Sequence, residues 1–498
     1  MLYYKSKGDG FMNKRPNIVI FNVDQYRGDV LGHMGNASAI TPNLDRIAAE
    51  DGVSFSNAYC QNPVCTPSRC SFMSGWYPHT RGHRSMYRML HKDEPMLLKQ
   101  LKDSGYYVLW AGKNDVVPAE DGFDAYCDMR LNPKMKETAL NAHVDDSWRG
   151  SPDGDNYYSF YAGKREPING ATEFIDYDWA RIYETAEIIK NPPSDKPLCI
   201  YLPLLYPHPP YGVEEPYFSM FHAANMPPCI PAPNKEDGKA NIIYELYERQ
   251  GLKGWTAERF KQLKAVYYGM CTRTDAQLGL IMDALKQAGV YNDTAIFFFS
   301  DHGDFTGDYG LVEKAQNAFE DCITRVPLVI KPPANIKTRP RITNALVELI
   351  DFCATVQELA GIVPDYTHFG HSLLPVLAGE NTFRDAVFCE GGRLAGEEQV
   401  FENDYCTKES HYYPRISMQT EENPMNYKAV MCRTQDYKYI ERLDGKHEFY
   451  DLKKDPFEQK NEINNAIYKD TVLQLKERLL HFYLETGDVV DFKRNQRE

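Results

Sequence analysis

The string "CTPSRCSFMSGWYPHTRG" at residues 65–82 is where residue type and spacing first suggest chemistry. It places a thiol, Cys65, at what reads as a helix start, with Pro67 in the first turn. Five more polar groups follow apolar runs elsewhere in the chain. Asp24 follows "PNIVIFNV", Lys113 follows "YYVLWAG", His208 follows "CIYLPL", and Asp301 and His302 follow "AIFFFS". Each run is continuous and rich in β-branched or aromatic residues, as in strands buried on both faces. Four strands delivering polar groups at the same end point to one shared site.

The elements that must position them alternate. "PNLDRIAAEDG" reads as a helix with Thr41 as N-cap, Pro42 in its first position and Gly52 closing it. "TAERFKQLKAVYYGMCTRTDAQLGLIMDALKQAG" carries a helical stripe of Phe260, Leu263, Tyr267, Met270, Thr274, Leu278, Ile281 and Leu285 just before the "AIFFFS" strand. Helices alternating with buried strands predict an α/β fold: a large, mostly parallel central sheet flanked by helices. In such sheets ligands sit at the carboxyl ends of the strands. Beyond residue 378 the texture changes to short strands with turns, and a helix follows at about 469–485. The expected organisation is a poorly ordered leader at 1–15, a catalytic domain at 16–378 and a smaller α+β subdomain at 379–498. Segments 132–172, 211–233 and 394–426 read as insertions that contact the substrate.

At Cys65, Pro67, Ser68, Arg69 and Ser74–Gly75 the chain resembles the formylglycine-dependent sulfatase family of the alkaline phosphatase superfamily. Its hallmark is Cys or Ser-x-Pro-Ser-Arg followed by Ser/Thr-Gly. The resemblance implies that a maturation enzyme oxidises Cys65 to formylglycine. The hydrated aldehyde has two hydroxyls on one carbon, one to attack sulfur and one to expel sulfate afterwards. It implies that Arg69 orients this group. It implies that Asp24, Gln25, Asp301 and His302 hold one divalent cation, usually calcium. Many members have Asp where Gln25 stands and Asn where His302 stands, and a nitrogen ligand also admits magnesium or manganese. Lys113 and Lys314 match the lysines that grip the sulfate, and His208 matches the histidine that protonates the leaving oxygen. The family's Lys-x-His pattern has Asp115 in place of the histidine, which leaves open the group that deprotonates the hydrate. His79, in "YPHTRG", is a weaker candidate.

The expected activity is hydrolysis of sulfate monoesters, on a sulfated carbohydrate or an aryl sulfate. Related phosphonate monoester and phosphodiester hydrolases share the cysteine motif and the "VDQ" and "SDHG" variants, and they tend to be homo-oligomers. An inactive relative that binds sulfated glycans is a third reading. The 498 residues carry a net charge of −14, which argues against nucleic acid or an anionic membrane as a broad surface partner. No apolar run approaches the roughly 18–20 residues that span a bilayer. The first 25 residues lack the shape of a secretory signal, so a cytoplasmic location is expected. Twelve irregularly spaced cysteines without a CxxC pair fit buried thiols in a reducing compartment.

Overall fold

A computed structural model of the chain describes residues 15–133, 146–167, 171–402, 406–420, 424–492 and 497. Nearly all of the expected leader, and much of the 132–172 insertion, lie outside the described residues. The strands in chain order are β1 (Asn17–Val23), β2 (Val53–Tyr59), β3 (Tyr107–Trp110), β4 (Met129–Arg130), β5 (Tyr161–Lys164), β6 (Leu198–Pro203), β7 (Tyr211–Val213), β8 (Thr294–Ser300), β9 (Arg325–Val326), β10 (Leu328–Lys331), β11 (Arg341–Glu348), β12 (Val387–Gly391), β13 (Ala429–Arg433), β14 (Tyr437–Arg442) and β15 (Glu448–Asp451).

The main sheet runs β11-β2-β10-β8-β1-β6-β3-β4, with β9 paired to β2. β1 is parallel to both β6 and β8, β3 is parallel to β6 and β4, and β11 is parallel to β2. β10 runs antiparallel to its two neighbours. The expected mostly parallel α/β sheet is therefore the observed one.

The continuous apolar runs have their reason in the two packed faces. On β1, Ile18 and Ile20 enter one core, while Val19, Phe21 and Val23 enter the other. β8 does the same, with Phe297 and Phe299 on one side and Ile296 and Phe298 on the other. Each such side chain, fully buried, contributes roughly 1.5–3 kcal/mol. Helices Cys65–Ser74, Leu97–Asp103 and Ile350–Ala360 cover the first face through residues such as Phe72, Leu101 and Phe352. The second face is covered by Pro42–Glu50, Tyr177–Lys190 and the long Ala257–Gln287 helix, all eight of whose stripe residues are buried.

One local expectation differs. Pro42 does open its helix, but the Thr41 hydroxyl makes no capping bond. It donates to Asp45 Oδ1 (2.9 Å) and accepts from Gly32 N–H, tying the helix to the preceding loop.

β12 to β15 form a separate antiparallel sheet in sequential order, and the Lys469–Thr486 helix packs on it. Val387, Cys389, Met431 and Ile440 of this sheet join the core of the main one.

Candidate active site

The site sits at the carboxyl ends of β1, β3, β6 and β8, where Asp24, Lys113, His208 and Asp301–His302 follow their strands. Two glycines let these ends approach closely. A side chain at Gly112 would lie 2.2 Å from the Pro203 carbonyl, and one at Gly303 would lie 2.0 Å from the Cys322 carbonyl. Neither position admits a Cβ, so the turns carrying Lys113 and His302 are held against neighbouring backbone.

Cys65 is the first residue of its helix and is 2 % exposed. Its Sγ lies 3.2 Å from His302 Nε2 and 3.6 Å from Asp24 Oδ1. One turn on, Arg69 shares the same helix face. Its Nε donates to Asp301 Oδ2 (2.8 Å), Nη1 to Asn22 Oδ1 (2.7 Å) and Nη2 to Asp24 Oδ2 (3.0 Å). A fully buried guanidinium thus bridges the carboxylates of two strands.

The cations set the protonation of the carboxylates. Burial alone would raise the Asp24 pKa, but Lys113, His208 and Arg69 together hold it well below the ordinary carboxylate range. Lys113 forms ion pairs with Asp24 and, at 2.5 Å, with Asp115. The residue standing in place of the family histidine is therefore a second anion on Lys113.

Lys314 enters from a loop after β8. Its Nζ donates to Gln25 Oε1 (2.7 Å), lies 3.1 Å from His208 Nε2 and pairs with Glu313 at 2.8 Å.

Burial lowers the His302 pKa, so its imidazole is neutral. Nδ1 lies 2.9 Å from the Gly303 carbonyl and carries the proton. Nε2 keeps its lone pair toward Asp24 and Cys65. Ligand atoms of Asp24, Cys65, Asp301 and His302 all lie within 4.8 Å of one another. Two carboxylates and an imidazole lone pair, with Gln25 tied to Asp301 through its backbone N–H, fit a hard or borderline divalent cation.

All nine sequence-derived residues, Asp24, Gln25, Cys65, Arg69, Lys113, His208, Asp301, His302 and Lys314, are brought together. His79 is not. Its ring nitrogens bond Glu390 Oε1 (2.7 Å) and the Thr486 carbonyl (3.0 Å), and it packs on Phe482, so it pins the C-terminal helix. Above the site opens a pocket of about 470 Å³ whose walls include Met86, Tyr87, Glu402, His411, Tyr412 and Arg415. The last four come from the 394–426 insertion, which carries no motif from which their place could be read.

The sulfatase family model matches residues 16–362 of the chain. The chain belongs to the sulfatase family. It is a sulfuric ester hydrolase. It is 28 % identical over 499 residues to an arylsulfatase of Clostridium perfringens, covering 94 % of each. It is 27 % identical over 486 residues to an ulvan-active sulfatase of Formosa agariphila, covering 95 % of this chain and 82 % of that one. Among solved structures it resembles a phosphonate monoester hydrolase of Agrobacterium radiobacter. The TM-score is 0.76 at 25 % identity, over 97 % of this chain and 100 % of that one.

Proposed function

We propose that the enzyme hydrolyses sulfate monoesters with a formylglycine made from Cys65 by a maturation enzyme, beside one divalent cation held by Asp24, Gln25, Asp301 and His302. The observation that carries this is the position of Cys65 Sγ, 3.2 Å from His302 Nε2 and 3.6 Å from Asp24 Oδ1 on the pocket floor. Burial, then Asp24, push the thiol far above its ordinary pKa, so the unmodified side chain is a poor nucleophile. The modified residue supplies a hydrated aldehyde in its place. A bound cation lowers the pKa of the attacking oxygen and offsets the charge of the sulfate.

The chain's own residues do the rest. Lys113 and Lys314 both line the pocket and bind the non-bridging sulfate oxygens. Arg69 donates to Asp24 and Asp301 and fixes both in direction. His208 gives its Nδ1–H to the Pro209 carbonyl (2.5 Å), so Nε2, 3.1 Å from Lys314 Nζ, is the lone pair that takes up a proton and passes it to the leaving oxygen. Asp115 neutralises Lys113 and is the anionic group next to it able to accept a proton from the hydrate. Met86, Tyr87 and Tyr412 give the pocket flat and apolar surface for the ring of a sulfated carbohydrate or an aryl sulfate.

Hydrolysis of phosphonate monoesters is the second reading, favoured by the Agrobacterium radiobacter likeness. Protein co-produced with a formylglycine-generating enzyme separates the two, given p-nitrophenyl sulfate and p-nitrophenyl phenylphosphonate in parallel. The expected result is a kcat/KM for the sulfate ester higher by orders of magnitude; the reverse ratio assigns the phosphonate activity.

A further inference from the structure

Gln25 raises a problem that a carboxylate in its place would not. Only one of the two terminal atoms of an amide can bind a cation, and a rotation of 180° about the last side-chain bond exchanges them. The nitrogen would then face the cation and Lys314. Something must fix the rotation, and the structure contains such a device.

Gln25 Nε2 donates to Asp304 Oδ2 at 2.5 Å, while Gln25 Oε1 accepts from Lys314 Nζ at 2.7 Å. Asp304 is fully buried, two residues past His302. Its other partners are donors too. Thr306 gives its backbone N–H and its hydroxyl, each 2.6 Å from Oδ1, and Tyr211 OH lies 2.8 Å from Oδ1 and 3.0 Å from Oδ2. Tyr211 OH also accepts the Glu313 N–H at 2.8 Å, which commits its own proton to Asp304. A carboxylate held in this way only accepts. Rotating the amide would set its oxygen against Asp304 and its NH₂ against Lys314, so both contacts would turn repulsive.

We propose that Asp304 is a positioning residue that sets the rotation of the Gln25 amide, so that Gln25 Oε1 faces the cation site. The inference rests on the proposed cation reading of Asp24, Gln25, Asp301 and His302. Asp304 stands outside the cluster of ligand atoms from Asp24, Cys65, Asp301 and His302, and both of its own oxygens are taken up by donors. The same carboxylate reaches Lys314 through Tyr211 and the Glu313 backbone, so one buried group orients a cation ligand and steadies the segment carrying a sulfate lysine. Partners behind a ligand typically change metal affinity 10–100-fold.

The test is a donor–acceptor swap in the full chain. Affinities for Ca²⁺, Mg²⁺ and Mn²⁺ are measured by calorimetry for wild type, Asp304→Asn, Gln25→Glu and the double variant, together with the metal-free melting temperature. In Asp304→Asn an NH₂ meets the Gln25 NH₂, and affinity falls about 10–100-fold. In the double variant the amide now at position 304 donates to one oxygen of the carboxylate now at position 25. The other oxygen of that carboxylate faces the cation, so affinity returns to the wild-type value or above. Gln25→Glu alone opposes two carboxylates, and it binds more weakly than the double variant. That comparison decides the matter even if Asp304→Asn does not fold. Wild-type affinity in Asp304→Asn overturns the inference, as does a double variant no tighter than Gln25→Glu. A wild type that binds none of the three cations overturns the cation reading itself, a result distinct from either.

Discussion

The guanidinium of Arg69 closes on a single oxygen of Asp301, with Nε and Nη2 each 2.8 Å from Oδ2. The other oxygen, Oδ1, accepts the backbone N–H groups of Gln25 (3.1 Å) and His302 (3.0 Å). One carboxylate therefore joins the sulfatase motif on its helix to the turns after β1 and β8.

Removing the guanidinium from this junction leaves Asp301 buried without its close cationic partner and Asp24 with Lys113 as its remaining ion pair. Arg69→Met is expected to destabilise the metal-free protein by about 3–5 kcal/mol, the usual cost of breaking a buried ion pair from one side. Urea denaturation of the two proteins measures it. Saturating divalent cation should recover part of the loss, because it replaces the missing positive charge. An unchanged midpoint would show that the carboxylates are not held by Arg69.

Lys314 reaches the pocket with its charge intact: burial opposes the charge, but Cys65, Glu313 and Asp24 raise its pKa above that of a free lysine. Lys314→Ala is expected to lower kcat/KM of the matured enzyme for p-nitrophenyl sulfate about 10²–10³-fold, as loss of one preorganised donor does in other sites. Circular dichroism should stay unchanged. Wild-type kinetics would place this lysine outside the reaction.

His302 gives a pH dependence with a definite sign. Burial holds its folded pKa below the unfolded value of about 6.5. Between those two values the unfolded chain binds a proton that the folded chain does not, so folding stability falls as pH drops below about 6.5. His368, His371 and His411, whose pKa values burial also lowers, add to the same slope. The expected result is therefore a difference: metal-free His302→Asn should lose less stability than wild type between pH 7 and pH 5. Parallel curves would mean that His302 takes up its proton equally well in both states.

Much of this site was legible in the sequence because its residues follow strands. Asp24, Lys113, His208 and Asp301 each end an apolar run, and a parallel sheet brings such ends to one edge. Cys65 and Arg69 were legible as a motif, since a helix start fixes both at once. Asp304 was not. It stands two residues past the legible "SDH", but its role depends on the rotation of an amide brought in from β1. Tyr412 and Arg415 were invisible for another reason. They come from an insertion without periodicity or motif, and only the packing of that insertion over His208 and Lys314 puts them on the pocket wall. His79 misled because an imidazole beside the motif reads as chemistry, whereas Glu390 and Thr486 occupy both of its nitrogens.

Catalysis depends on Cys65 as the source of the nucleophile. Turnover of p-nitrophenyl sulfate by Cys65→Ala, co-produced with a formylglycine-generating enzyme alongside wild type, addresses that most directly. Activity of the variant should drop to the uncatalysed background while the wild type turns over. A variant that retains a substantial part of the wild-type rate would contradict it.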